Sequence, residues 1–321
     1  MTWNPLPDES SPSFVIEDAP APLFRDPVFD GAADPSIMWN PELEEWWICY
    51  TQRRANVGTA DKGWIHGSDI GIATSDDGGR SWLYRGTLEL SIEPGHNTYW
   101  APEIVHHDGT YHLFVSYITG IPSDWDRPRD IVHFTNDRLA LEGWTFEGVC
   151  DLEHDRVIDP DVHRLDDGTW RMWYKHDQEA VTVTADSEDL TSWAPESEPT
   201  LEEPPHEAPI VFEWKEYYWL LADSWDGLSV WRSPDGDEWT RQEGRLLDDP
   251  GSRPGDDWQG GHPDAFVVDG DAYVLYHVHQ STDEPHAQLD DTGRARQTAL
   301  QVAELGLEDG WLTCARDAYA E

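Results

Sequence analysis

Asp159-Pro160-Asp161-Val162 runs through an Asp166-Asp167-Gly168 turn into Trp170-Arg171-Met172-Trp173-Tyr174, and this stretch decides the fold. A polar head beside proline opens one strand, a turn of Asp and Gly closes it, and an aromatic, β-prone strand returns. The layout recurs behind four other heads: Asp34-Pro35-Ser36-Ile37, Pro102-Glu103-Ile104-Val105, Glu207-Ala208-Pro209-Ile210 and His262-Pro263-Asp264-Ala265. Their returning strands lie at 46–50, 111–115, 217–220 and 273–276. A second echo follows each hairpin. Val181-Thr182-Val183-Thr184 leads to Trp193, and comparable runs lead to Trp82, Trp144, Trp239 and Trp311. Each copy supplies about four strands, the content of one propeller blade. The sequence therefore predicts an all-β, five-bladed β-propeller with four antiparallel strands per blade. Residues 1–20 read as a polar, Pro-rich lead-in, and residues 21–321 as a single propeller domain.

Charge is the strongest compositional signal: 65 acidic residues against 21 Lys and Arg, a formal net charge of −44. Such a surface repels nucleic acid and anionic lipid, so neither is an expected partner. Regular hydrophobic strands and 19 Trp argue against disorder. The acidity predicts a protein adapted to very high salt, where the Debye length shrinks to about 3 Å at 1 M and self-repulsion is screened. No run of 18 apolar residues is present to span a membrane. The first residues lack a basic stretch followed by an apolar one, which predicts a cytoplasmic location. Cys49, Cys150 and Cys314 are too few and too scattered for a disulfide framework. Nothing in the pattern sets an oligomeric state.

The heads carry the chemistry. In a propeller the innermost strands all run the same way beside the axis, so their first residues gather at one mouth. By this geometry Asp34, Glu103, Asp159, Glu207 and His262 share a funnel. Asp-Pro is also good turn chemistry, and about one residue in five here is acidic. Four acids and a histidine at five matching positions nevertheless point to a site. Grouped carboxylates suit glycoside hydrolysis, in which one delivers a proton and another activates water or attacks carbon. Crowding raises the pKa of one member and so creates the acid. Trp39, Tyr99, Trp100 and Trp225 are candidates to stack on sugar faces.

At these heads the chain resembles glycoside hydrolase family 43 and its five-bladed relatives. The matching motifs are Ala33-Asp34-Pro35-Ser36, Trp100-Ala101-Pro102-Glu103, Ile158-Asp159-Pro160, Glu207-Ala208-Pro209, and Gly261-His262 ahead of Tyr276-His277. The resemblance spans about residues 22–312. It implies that Asp34 is the general base, Glu207 the general acid, and Asp159 the residue that tunes and orients that acid. It implies inversion at the anomeric carbon, and an α-L-arabinofuranoside or β-xyloside as substrate. It places an arginine near the sugar, Arg296 or Arg294 before the final strand, beside the candidate sugar contacts Trp100, Glu103, Trp225 and His262 read from the heads and aromatics. No cofactor is required, although some members hold a central calcium ion, for which His262 is the candidate ligand. The stretch Ser75-Asp76-Asp77-Gly78-Gly79-Arg80-Ser81-Trp82 resembles the Asp-box turn of sialidases, remote from chemistry.

The insertion at 123–129 and the lead-in Glu202-Glu203-Pro204-Pro205-His206 match no particular subgroup. Related families act on fructosides or anhydro-galactosides, or cleave mannosides with phosphate. Phosphorolysis needs cations beside the carboxylates, for which Arg127-Pro128-Arg129 and Arg53-Arg54 are the candidates. A non-catalytic carbohydrate-binding propeller is the reading from another class. A zinc site built from His106, His107 and His112, or from His277 and His279, lacks an evident third ligand.

Overall fold

A computed structural model describes residues 12–59, 61–280 and 293–319. Among the described residues, twenty strands form five four-stranded antiparallel sheets, each a simple meander from an inner to an outer strand. Blade I contains β1 (Ala32–Asn40), β2 (Glu45–Gln52), β3 (Asp69–Ser75) and β4 (Leu83–Thr87). Blade II contains β5 (Thr98–His107), β6 (Thr110–Ile118), β7 (Asp130–Asn136) and β8 (Thr145–Val149). Blade III contains β9 (Val157–Arg164), β10 (Trp170–His176), β11 (Val181–Ser187) and β12 (Ala194–Pro195). Blade IV contains β13 (Glu207–Trp214), β14 (Tyr217–Asp223), β15 (Leu228–Ser233) and β16 (Thr240–Arg241). Blade V contains β17 (Gly261–Val268), β18 (Asp271–His279), β19 (Thr298–Glu308) and β20 (Trp311–Cys314). The expected five-bladed propeller is the fold observed.

Burial follows position in the blade. The inner strand β1 is buried along almost its whole length, whereas the outer strand β8 alternates between exposed and half-buried residues. A strand covered on both faces has no solvent side and so shows no polar alternation. The aromatic returning strands fill the spaces between blades. Trp219 is fully buried in a cluster that joins blades IV and V, and its indole donates to Trp214 O at 3.1 Å. Trp219→Ala is expected to cost about 3–5 kcal/mol of stability, measurable as a lower midpoint in urea unfolding.

The ring closes without a shared blade. Phe24 and Leu300 exchange backbone hydrogen bonds of 3.3 and 2.9 Å, and Thr298 N donates to Asp30 O at 3.2 Å. Phe14, Ile16, Leu23 and Phe24 pack with Trp46 of blade I and Phe266 of blade V. The Asp-box serine ties its own turn: Gly79 N donates to Ser75 Oγ at 2.9 Å, and Ser75 Oγ donates to Asp77. Ser187 with Asp189 and Ser233 with Asp235 repeat this turn in blades III and IV. Among the described residues, no helix is long and apolar enough to cross a membrane.

One irregularity is common to all five inner strands and sets the site. Each carries a bulge where its head proline interrupts pairing with the second strand. Proline has no N–H to give the ladder, so the chain bulges there. The residue before each proline has a positive φ: Asp34, Ala101, Asp159, Ala208 and His262, all between 41° and 56°. Non-glycine residues adopt this conformation at a cost, and such strain concentrates at functional positions. The bulge also gives the true equivalence between blades. Glu207 stands one residue before the shared position and Glu103 two residues after it, so the heads form two layers.

Candidate active site at the mouth of the propeller

The upper layer opens into a cavity of about 540 Å³. Asp34, Asp159, Glu207, His262 and Trp100 all line it, so five of the expected residues meet. The others fall elsewhere. Glu103, expected at the mouth, lies in the layer below with Asp161, Asp264 and Ser36, and accepts a 3.2 Å hydrogen bond from Ser36 Oγ. The bulge puts it there, two residues further down its strand than Asp34. Trp225 stands outside the cavity lining with Lys175 above its ring, and its side chain helps hold the Glu207 carboxyl down. Arg296 places its guanidinium over Trp64, which is itself a cavity wall. The side chain of Arg294 lies outside the described residues.

Asp34 is buried, and its Oδ1 accepts from Arg53 Nη2 at 2.7 Å. His262 Nδ1 approaches the same oxygen at 3.2 Å. The Asp34 N–H donates to His277 Nδ1 at 3.3 Å, so that nitrogen is an acceptor and its ring is neutral. Burial and the nearby Arg53 charge hold His277 well below the usual histidine range, in agreement. Arg53 is thus a cation held directly against Asp34, and the neutral His277 ring fixes the Asp34 backbone.

Glu207 faces a different environment. Its Oε2 accepts from Lys175 Nζ at 2.8 Å. Burial opposes its ionisation, but the Lys175 ammonium, His262 and Trp225 outweigh burial and pull the carboxyl down to about 2. Lys175 has a second acid partner, Asp177, at 3.0 Å. Asp159 moves the other way, pushed up to about 6 by burial, with His262 opposing and Glu207 reinforcing. Its Oδ2 accepts the Ala208 N–H at 3.2 Å, which joins blade III to blade IV. Asp223 is pushed up to about 7 by burial and by Glu207, although it accepts N–H groups from Trp225 and His262 at 2.7 and 2.9 Å. Glu207 is thus held in its ionised form beside Lys175, whereas burial and the Glu207 charge favour the protonated forms of Asp159 and Asp223.

Lys175, Asp177, Asp223 and Arg156 were not expected from the sequence. The hairpin register is the signal that would have found three of them. Lys175 pairs with Ile158 beside Asp159, Asp223 pairs with Glu207, and Asp177 follows directly beyond Lys175 and His176. The end of each second strand thus returns to the mouth beside its own head. His106 and His112 are packed away from the cavity, stacked on Tyr111 and His133.

The sequence profile described as Glycosyl hydrolases family 43 matches residues 87–312. The chain belongs to glycosyl hydrolase family 43. No curated protein sequence matches it. Among solved structures, the xylan beta-1,4-xylosidase from Bacillus halodurans C-125 superposes with a TM-score of 0.65 at 16% identity. That match covers 91% of this chain but only 56% of the xylosidase, so this chain spans about half of that relative's length. The Cellvibrio cellulosa alpha-L-arabinanase superposes with a TM-score of 0.62 at 18% identity, over 90% of this chain and 98% of the other. An exo-1,5-alpha-L-arabinanase from a bovine ruminal metagenomic library gives 0.62 at 18% identity, over 91% and 98%. At such identity the likeness extends to the fold alone.

His262 is the candidate calcium ligand. Among the described residues no group of three or more His, Cys, Asp or Glu side chains is arranged to hold a metal ion. His262 Nδ1 is directed at an Asp34 oxygen already taken by Arg53. A calcium ion at His262 is therefore unsupported by the described side chains.

Proposed function

We propose that this chain is a glycosidase that hydrolyses a pentoside of the α-L-arabinofuranoside or β-xyloside type with inversion. Supporting this above all is that Asp34 and Glu207, from blades I and IV, line one open cavity. A protein that only binds sugar has no need of two such carboxylates in different electrostatic settings. Asp34, held by Arg53, takes a proton from water as the water oxygen bonds to the anomeric carbon. The glycosidic C–O bond breaks, and the leaving oxygen takes a proton from Glu207. Asp159, anchored through the Ala208 N–H, orients the strand that carries Glu207.

For Glu207 to act as acid it must first gain a proton, which the Lys175 contact opposes. Asp177 offers Lys175 an alternative partner at 3.0 Å. Substrate that draws Lys175 toward Asp177 leaves burial to govern Glu207, and burial favours the protonated form. Lys175→Met removes the opposing charge permanently, so the Glu207 pKa rises from about 2. A general acid is lost above its own pKa, so the alkaline limb of the kcat/KM profile is expected to move to higher pH. An unmoved limb would show that Lys175 does not tune the acid.

The reading as a whole is tested with aryl arabinofuranosides, xylosides, galactosides and fructosides at high salt. Turnover of an arabinofuranoside or xyloside is expected, with the inverted anomer as the first product in proton NMR. A retained anomer, or turnover of none of them, would overturn it.

A further inference from the structure

Of 21 Lys and Arg in a chain of net charge −44, Arg53, Arg129, Arg156 and Lys175 line this one cavity. Arg53 and Lys175 are accounted for, since each neutralises a site carboxylate. Arg129 and Arg156 touch neither Asp34 nor Glu207. Their backbones are bridged in parallel, with Val157 N donating to Arg129 O at 3.2 Å. Both guanidinium groups donate to the same carbonyl, Trp125 O. Two cations that share one acceptor oxygen lie within a few ångströms of each other, and like charges so close repel.

Their acid partners offset this only in part. Asp177 bonds Arg129 at 2.7 Å but also serves Lys175. Asp126 bonds Arg156 at 3.2 Å, yet its side chain is 96% exposed, and so open an ion pair contributes little. Arg129 Nε is buried without a hydrogen-bond partner. The Arg129 guanidinium also lies 5.1 Å from the Trp125 ring and 5.7 Å from the Trp100 ring, which places it among the aromatic walls. Paired planar forks, one of them held only by an exposed acid, are the arrangement that receives a carboxylate or phosphate with two parallel hydrogen bonds.

We propose that Arg129 and Arg156 form an oxyanion subsite in the cavity, filled by the carboxylate of an acidic sugar or by free phosphate. This rests on the reading of the cavity as a site of glycosidic-bond cleavage, and names the charge class of what that cavity holds. A sugar carboxylate would arrive as part of the glycan, its ring against Trp100 and Trp125. Phosphate would replace water: its oxygen bonds to the anomeric carbon, the glycosidic C–O bond breaks, and the leaving oxygen takes the Glu207 proton. The product would then be a sugar phosphate.

The test is direct binding, followed by tryptophan fluorescence and calorimetry at fixed chloride. The probes are glucuronate, inorganic phosphate and neutral xylose. At least one anion is expected to bind about tenfold or more tightly than xylose, as charge-assisted bidentate contacts allow. Arg156→Gln, at a partly exposed side chain, should abolish that advantage without lowering the melting temperature. Arg129→Lys, which keeps the charge but loses the fork, should weaken the anion severalfold. Preference for glucuronate identifies an acidic glycan. Preference for phosphate, with sugar phosphate released from an aryl glycoside, identifies phosphate. Anions that bind no better than xylose, or equally well to Arg156→Gln, would overturn the subsite. Binding needs no turnover, so anion binding by an inactive protein would leave the subsite standing and sink the hydrolase reading alone. Hydrolysis of neutral glycosides without anion binding would do the reverse.

Discussion

Asp34→Asn is expected to lower kcat/KM for every aryl glycoside by about 10²–10⁴, the usual worth of a general base. The loss should not depend on the leaving group, because the base acts on water. Asparagine is the informative replacement. Asp34 has a φ of 49°, which Asn tolerates far better than Ala. Alanine would add about 1–2 kcal/mol of backbone strain and blur the chemical effect. The Asn oxygen can still accept from Arg53, now 2.7 Å from the carboxylate, so the loop keeps its tie. What disappears is the negative charge and the capacity to take a proton. A melting temperature near wild type with activity gone is the expected pair of readings. Retained activity would remove Asp34 from the mechanism.

Glu207→Gln should produce a different signature. An acid matters most when the departing oxygen is basic, so loss for simple alkyl or phenyl glycosides should be about 10²–10⁴. A dinitrophenyl leaving group departs without a proton, and its turnover should fall far less. The amide oxygen of the replacement can still accept from Lys175, and Lys175 keeps Asp177, so no buried charge is stranded. Steady-state kinetics across leaving groups separates the roles. Equal losses for all leaving groups would assign Glu207 to binding rather than to proton delivery.

The contrast between Glu207 and Asp159 shows how far linear order reaches. Both are acids close to a proline at a strand head, and the one-residue offset between them does not tell which is ionised. One is pulled down to about 2 and the other pushed up to about 6. Lys175 makes the difference. It lies 32 residues from Glu207 and reaches it only because β10 returns to the mouth beside β9. Glu103 makes the same point in the opposite direction. It appears equivalent to the other heads, yet the bulge at Pro102 moves it down the strand into the buried layer with Asp161 and Asp264. Burial and its two acidic neighbours raise its pKa there, below the lining of the open cavity.

Blade number, strand order and the gathering of Asp34, Asp159 and His262 at one mouth were determined by the sequence alone. Alternation, turn residues and X-Pro breaks act over a few residues, and five repetitions leave one closed arrangement that buries every inner strand. The depth of each carboxylate, its ionic partner and the cationic wall of Arg129 and Arg156 were decided only by the tertiary structure. Those depend on register between strands and on contact between blades, where a shift of one or two residues changes which side chain faces the cavity.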